Sequence, residues 1–536
     1  MFEIIEKEIN FMLGVMIDCS RNAVMNLKSL KRFVDIIKLM GYDTLMLYTE
    51  DTYEVDGHPL FGCMRGKYTK NEIKEIDSYC VENGIELIPC IQTLAHLNCM
   101  FRWNEYADIN DCDDILLSED EKTYKLIESM FSTISQCFSS KKIHIGMDEA
   151  YRVGMGKYRN IHGECDRFDI INRHLHRVCE LADKYGLEPM IWSDMFCKLA
   201  LDSDDYYETE GAEAIKEKSD LPENISLVYW DYYSKDYDHY VKMINTNKLF
   251  GRKVYFAGGA WTWCGIAPEN KFSIETTEVA LKACKDCNVD DLFFTVWGDD
   301  GGECTPFTIL PALMYGAETI RGNYDMDSIK EKFKQIVGCD YDSFMLLDEL
   351  NRPGGKHENE NQTCKYILYN DLYTGIKDYL CSESDAVFYK DLAERIHNAD
   401  KSGYEDMFDA YECLARLVAK KVDLGVRTRK AYQAADKEAL KKIIEDYEIL
   451  LERTEVFHKS YQKLWFELNK PHGFDIQDIR LGGLIQRIKS CKNRLVDYVD
   501  GKISEIAELG EDMPQGTTGP FWRNVASPNV ISHEYL

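Results

Sequence analysis

What most limits how this chain can fold is a pattern repeated eight times in its first 320 residues: a short apolar segment, then a polar or aromatic cluster. The segments are Phe11–Asp18, Thr44–Tyr48, Ile85–Ile91, KIHIGMDEA at Lys142–Ala150, Glu188–Trp192, Ser226–Trp230, Val254–Ala257 and Leu292–Trp297. Runs such as LIPCI and LFFTV are apolar on both faces, as strands of a buried parallel sheet must be. Helical patterns fill most of the gaps. Leu27, Leu30, Phe33, Val34 and Ile37 form one face of a helix closed by Gly41. Thr69 with Glu72, and Ser118 with Glu121, read as capping boxes, and a further helix over Asp166–Tyr185 stops at Gly186. Strand and helix alternating in this way predict an α/β fold, a (β/α)₈ TIM barrel over residues 1–320 with its functional residues at the C-terminal strand ends. A doubly wound open sheet is the runner-up, but it would gather those residues at one switch point rather than on every strand.

Beyond residue 320 the pattern changes. Helical stretches at Asp327–Val337, Cys364–Tyr379, Glu405–Leu424, Lys437–Asn469 and Ile479–Leu509 predict an all-α C-terminal domain over 321–536. The segment 350–362 reads as a loop, and the tail from Gly510, with Phe521 and Trp522, as irregular chain. A chain of 536 residues is too long for one ordinary core, which agrees with two domains. No chemistry is visible in the helical half. It offers a homodimer interface or a pocket rim, and its residues do not decide between them.

A net charge of −29 argues against nucleic acid or an anionic membrane as partner. The 19 cysteines lack a framework spacing, which favours a reducing compartment. The first residues, MFEIIEKEIN, carry acids where a signal peptide needs basic and then apolar residues, and no apolar run approaches a membrane span. The expectation is a soluble cytoplasmic protein.

KIHIGMDEA carries the chemistry. Ile143, Ile145 and Met147 alternate with His144 and Gly146 as in a strand, and the segment ends in Asp148–Glu149. An adjacent acid pair is usually a solvated loop feature. At the end of a buried strand, where unpaired charge is costly, it belongs at a pocket. Both side chains reach one pocket only if the chain has left the pleat by then. Of 8 tryptophans in the chain, Trp192, Trp230, Trp261, Trp263 and Trp297 lie at strand ends. At least three are expected to line the pocket, because a lone Trp is usually core but five on one barrel face are hard to explain that way. Metal signals are poor: Cys284-x-x-Cys287 lacks a partner pair, His174 and His176 do not share a helix face, and Gly154-x-Gly156 is an incomplete nucleotide fingerprint. No cofactor or metal is implied.

These residues resemble glycoside hydrolase family 20, the β-N-acetylhexosaminidases. IHIGMDEA is similar to the family's His-x-Gly-x-Asp-Glu motif, and DCSRN (Asp18–Asn22), TEDTY at the second strand, AHL around His96 and VWGD at the eighth extend the likeness over the barrel. The layout resembles the compact bacterial branch. The resemblance implies an exo-enzyme removing terminal β-linked GlcNAc or GalNAc from small oligosaccharides or glycoconjugate glycans, with retention, through an oxazolinium formed by the substrate's own acetamide. It assigns Glu149 as general acid and then base, and Asp148 as the partner of the acetamido N–H. Adjacent like charges and burial are expected to raise one carboxyl pKa. Arg21 and Asp299 would bind sugar hydroxyls, though the family usually has Glu at the second position, which leaves Glu303 open as an alternative. The family's Tyr-x-Asp at the seventh strand is absent, since that strand reads YFAGGAWTW. Tyr232 and Tyr233 are the substitutes for its acetamide-binding tyrosine, with Tyr233 preferred. His96 and Asp51 resemble residues that orient the carboxylates, and His144 reads as a satisfied core histidine. Two other readings stand: a glycosidase with Glu149 as acid and Glu303 or Asp299 as covalent nucleophile, and a non-catalytic sugar-binding protein, against which the intact Asp148–Glu149 pair with Arg21 speaks.

Overall fold

A computed structural model describes residues 12–218, 220–353 and 361–512. Eight strands, β1 (Leu13–Asp18), β2 (Thr44–Tyr48), β3 (Glu86–Cys90), β4 (Lys142–His144), β5 (Glu188–Trp192), β6 (Ser226–Trp230), β7 (Val254–Gly259) and β8 (Leu292–Val296), form a closed barrel. Each pairs in parallel with its sequence neighbours, and β1 closes on β8 with Leu13 opposite Leu292 and Ile17 opposite Val296. The open sheet is thereby excluded.

Side-chain parity divides the strands between two cores. Met16, Met46, Ile88, Met190, Val228, Tyr255 and Phe293 fill the barrel interior. Val15, Leu45, Leu87, Ile143, Ile191, Leu227 and Phe294 pack outward against the helices. This explains why the segments are apolar on both faces. The inward parity also delivers Tyr48, Cys90 and Trp192 to the C-terminal rim.

Several helices start and stop as their caps dictate. Asn26 caps Leu27–Met40, which ends at left-handed Gly41, and Thr69 and Glu72 form a complete capping box on Lys70–Glu82. Glu121–Cys137 is capped by Asp120 rather than Ser118, because the Asp120 carboxylate accepts the Lys122 N–H.

Strand β4 is shorter than its alternation suggests. Pairing ends at His144, and Gly146, Met147 and Glu149 take φ values of 74°, 70° and 53°. The chain has left the pleat before the acid pair.

Beyond Val296 the described residues form helices, turns and loops. The stretch Cys364–Tyr379 is α-helical over Thr363–Tyr369 and resumes as a short 3₁₀ turn at Asp378–Leu380, because the Asp371 carboxylate turns the chain between them by accepting the Tyr373 and Thr374 N–H groups. Glu405–Leu424 resolves into Glu405–Lys421 and Leu424–Gln433, and the last stretch into Phe474–Val499 and a short turn at Ala507–Gly510. The sequence reading missed Glu383–Asn398, which opens on a Ser382–Asp385 capping box. Residues 354–360 of the expected loop and the tail beyond 512, including Phe521 and Trp522, lie outside the described residues, as does Phe11. Among the described residues no helix is long and apolar enough to cross a membrane.

Candidate active site

The turn after β4 exists because Gln92, after β3, holds it. The Gln92 Oε1 accepts the Met147 N–H at 3.0 Å, while its Nε2 donates to Asp148 Oδ1 at 2.7 Å and to the Tyr48 hydroxyl at 2.9 Å. Gly146 must be glycine: its φ is left-handed, and a Cβ there would stand 2.1 Å from the Gln92 Oε1.

The turn sends the two acids into different surroundings. Asp148 is buried, with His96 Nε2 at 3.1 Å from its second oxygen. Burial pushes its carboxyl up, but the His96 charge and the His96 and Gln92 hydrogen bonds outweigh that, and it ends below the usual carboxylate range. The expectation of a raised carboxyl therefore fails at Asp148. Glu149 turns outward with a side chain 36% exposed, its Oε1 accepting from the Tyr151 hydroxyl at 2.9 Å and its Oε2 lying 3.7 Å from His96. Its N–H donates to Asp194 Oδ2 at 3.0 Å. The raised acid here is Asp194, lifted to about 8 by burial and then by the Asp148 charge, against the Glu149 N–H bond. Burial lowers the His96 pKa, but Asp148 more than reverses this and raises it to about 10.

Across the mouth stands Arg21, with Asp18 at 3.2 Å, Glu50 at 3.3 Å and Asp299 at 3.6 Å. Its guanidinium lies over the Tyr48 and Trp297 rings at 5.0 and 5.3 Å. Burial, then repulsion from Asp18, lifts Asp299 toward about 7 against the pull of Arg21, although its side chain keeps 41% exposure and water screens it. A cleft of about 490 Å³ opens beside Arg21, Glu50 and His96, walled on its far side by Asp475 and Ile476 of the helical region.

The five tryptophans converge on the barrel interior. Trp192 and Trp297 lie 6.0 Å apart, Trp261 stacks on Trp263 at 4.0 Å, and Trp230 stacks on Tyr232 at 5.2 Å. Only Trp230 is partly exposed; the other four are buried. Tyr232 is buried in this cluster with its phenol directed to Trp297 and Thr295. Tyr233 is 49% exposed, edge-on to Trp261 at 5.4 Å.

Other expected residues sit elsewhere. Asp51 is buried in an ion pair with Arg65 at 3.1 Å, and it is Glu50 that faces the pocket. Glu303 is buried between Lys365 (2.7 Å) and Arg480 (3.0 Å) of the helical region, so it is committed to the interface rather than to a sugar or an anomeric carbon. His144 is buried against Trp192 and accepts the Gly146 N–H through Nδ1, but its Nε2 has no hydrogen-bond partner among the described residues, so it is a core histidine only half satisfied. The imidazoles of His174 and His176 meet the Thr93 and Asp220 carbonyls.

Two family models match this chain: the glycosyl hydrolase family 20 catalytic domain over residues 13–285, and the glycoside hydrolase 20C C-terminal domain over residues 342–517. The first alone covers more than half of the chain. The chain belongs to glycoside hydrolase family 20. Similar curated proteins include Hexosaminidase D of Bos taurus, 23% identical over 247 residues (44% of this chain, 66% of the relative), and Hexosaminidase D of Homo sapiens, 24% identical over 235 residues (41% and 44%). The chain thus aligns with less than two thirds of either relative. Among solved structures, a GH20 exo-β-N-acetylglucosaminidase from Vibrio harveyi overlays with TM-score 0.48 at 14% identity, covering 63% of this chain and 58% of that one. At that score the overlay adds nothing to the barrel assignment, which rests on the strand pairing.

Within this family-20 site, the sequence placed Glu50, Gln92 and Asp194 at strand ends but gave them no role, and it passed over Tyr151. Strand parity was the available signal for one of them: with Met46 and Tyr48 inward on β2, Glu50 and not Asp51 continues the inward series.

Proposed function

We propose that this chain is a retaining exo-β-N-acetylhexosaminidase that hydrolyses terminal β-linked GlcNAc or GalNAc by substrate-assisted catalysis. The observation that carries this reading is the division of labour within the acid pair. A carboxylate kept ionised by His96 and Gln92, beside one turned to the solvent side, suits two different tasks. A double-displacement pair would instead need carboxyls about 5 Å apart across the sugar, and Glu303 is held at the domain interface.

In this mechanism the Glu149 carboxyl protonates the glycosidic oxygen as the acetamide oxygen attacks the anomeric carbon. The C–O bond to the aglycone breaks and a cyclic oxazolinium forms. Asp148 accepts the acetamido N–H and balances the positive charge, while Tyr233 donates to the acetamide oxygen. Ionised Glu149 then takes a proton from water, whose oxygen reopens the ring at the anomeric carbon with net retention. Trp192, Trp261, Trp263 and Trp297 make the floor beneath the sugar with Tyr232, Trp230 stands at its edge, and Arg21 and Asp299 hold its hydroxyls. His96 positions both acids, Glu50 takes the pocket-side role expected of Asp51, and Asp194 fixes the Glu149 backbone. The 19 cysteines, none paired with another, support a cytoplasmic setting in which short oligosaccharides are the substrates.

Release of 4-nitrophenol from the β-GlcNAc, β-GalNAc and β-glucose aryl glycosides, by wild type and Asp148→Asn, tests this. Cleavage of both N-acetyl sugars but not of the glucoside, crippled by the substitution, is expected. Equal cleavage of the glucoside would remove the acetamide from the chemistry.

A further inference from the structure

The described helical region supplies none of the groups assigned a catalytic role above, yet one hairpin of it grips the barrel at two places that belong together. Helices Lys437–Leu468 and Phe474–Val499 are joined by the turn Asn469–Gly473. The start of that turn is stitched to the loop after β1: the Asn26 N–H donates to the Leu468 carbonyl at 3.0 Å, and the Lys470 N–H to the Val24 carbonyl at 2.8 Å. Gly473 closes against Asn22 so tightly that a Cβ would stand 2.4 Å from the Asn22 carbonyl oxygen. This is the loop that carries Arg21.

The first turns of the second helix then hold the loop after β8. Gln477 Nε2 donates to the Gly301 carbonyl at 3.2 Å, and Arg480 Nη1 to the Asp300 carbonyl at 2.6 Å and to Glu303 at 3.0 Å. Tyr461, on the first helix, donates to the Glu303 carbonyl at 2.9 Å. This is the loop that carries Asp299. Gly301 and Gly302, both at positive φ, turn it by donating their N–H groups to the Gly298 carbonyl, and the Cys264 N–H donates to the Asp299 carbonyl at 3.2 Å, so the hairpin adds to a turn and a barrel tether already present. A short glycine-containing loop needs outside partners to hold a carboxylate in one place.

Resting on the site reading above, we infer that Arg480 and Gln477 are positioning residues for the Arg21–Asp299 pair. The hairpin sets the spacing of the two groups that receive the sugar's hydroxyls, and the cleft walled by Asp475 and Ile476 is the outer face of the same arrangement. Arg480 acts through the carbonyl of Asp300, one residue from Asp299, without touching substrate.

The test uses the full chain and the aryl β-GlcNAc glycoside beside its 4-deoxy and 6-deoxy analogues, with Arg480→Met, Gln477→Ala, Asp299→Asn and the double variant Arg480→Met/Asp299→Asn. Asp299→Asn is expected to lower kcat/KM and to shrink the penalty for removing one of the hydroxyls. Arg480→Met should lower kcat/KM about tenfold and shrink the same penalty, with Gln477→Ala a weaker copy that folds without difficulty. In the Asp299→Asn background Arg480→Met should cost less than about twofold more, because both changes break one coupling. The inference is overturned if Asp299→Asn is damaging while the two hairpin variants only lower the Tm and leave the deoxy-sugar penalty intact. It is also overturned if the single effects multiply in the double variant. If Asp299→Asn leaves kcat/KM and the deoxy-sugar penalties unchanged, the hydroxyl role of Asp299 falls together with the inference.

Discussion

The barrel mouth and the helical region match their acids with cations to different degrees. In the helical region several are matched: Asp371 receives a two-pronged Arg487 at 2.6 and 3.0 Å, Asp446 is shared by Lys420 and Arg427, and Glu508 meets Arg494, whereas Asp348 and Asp378 are held by the Asn270 and Asn370 amides and burial raises both to about 6. At the mouth, Asp18, Glu50, Asp148, Glu149, Asp194 and Asp299 crowd around Arg21 and His96, with Arg65 and Arg102 further along the cleft wall. Arg487 holds the Asp371 carboxyl down, as His96 does that of Asp148, whereas burial and then neighbouring carboxylates raise those of Glu50, Asp194 and Asp299. Matched charge holds architecture. Unmatched charge is stored for a ligand that supplies hydrogen-bond donors and developing positive charge.

The strongest way to break this contrast is Glu149→Gln. Loss of the acid–base group should lower kcat about 10³-fold, while Tm stays level or rises because a repulsive neighbour of Asp148 and Asp194 has gone. A large fall in Tm would mean that Glu149 is architectural.

Gly146→Ala comes next and should damage both properties. Its Cβ would collide with the Gln92 carbonyl oxygen at a left-handed φ. We expect a loss of about 3 kcal/mol in denaturant unfolding, together with lower activity as Gln92 leaves Asp148.

Arg487→Met should cost about 2 kcal/mol, less than a fully buried broken pair because Arg487 is 37% exposed. Activity of the folded fraction should be unchanged. The Asp371 carboxyl is depressed in the fold, so its contribution is present above about pH 4 and is lost as pH falls through its folded value. The variant's deficit should therefore shrink in acid, which Tm against pH would read directly.

The smallest effect is expected from Asp194→Asn. The carboxyl titrates near 3.9 in an unfolded chain and at about 8 here, so the folded state holds the extra proton between those values and stability falls as pH rises through them. Removing it should raise Tm by about 1–3 °C at pH 8 and not at pH 4. A gain that did not depend on pH would exclude titration of Asp194 as its cause.

The parts legible in the sequence were those encoded locally. Apolar runs located all eight strands, caps such as Thr69–Glu72 located helices, and an acid pair at a strand end marked the pocket. What escaped depends on partners far along the chain. The alternation of KIHIGM implied a longer strand, but Gln92, 54 residues before Gly146, ends it through the turn. Glu303 looked like a pocket acid until Lys365 and Arg480 met it, the latter 177 residues on. Glu50 was within reach, because the β2 parity that turns Tyr48 inward also turns Glu50 inward, but TEDTY was read as a motif and not as a pleat.

The seam of the barrel gives the order in which these parts can come together. The Gly298 N–H donates to Asp18 Oδ2 at 3.0 Å across 280 residues, and that carboxylate also holds Arg21. A chain emerging from the ribosome can assemble Asp148, Glu149, His96 and Gln92 once β5 is out. The Arg21–Asp299 pair has to wait for β8 and then for the hairpin that ends the helical region. Such long-range closure is slow. In chain order the acid pair therefore precedes Asp299 and the hairpin, and the Arg21–Asp299 side of the cleft is expected to close last.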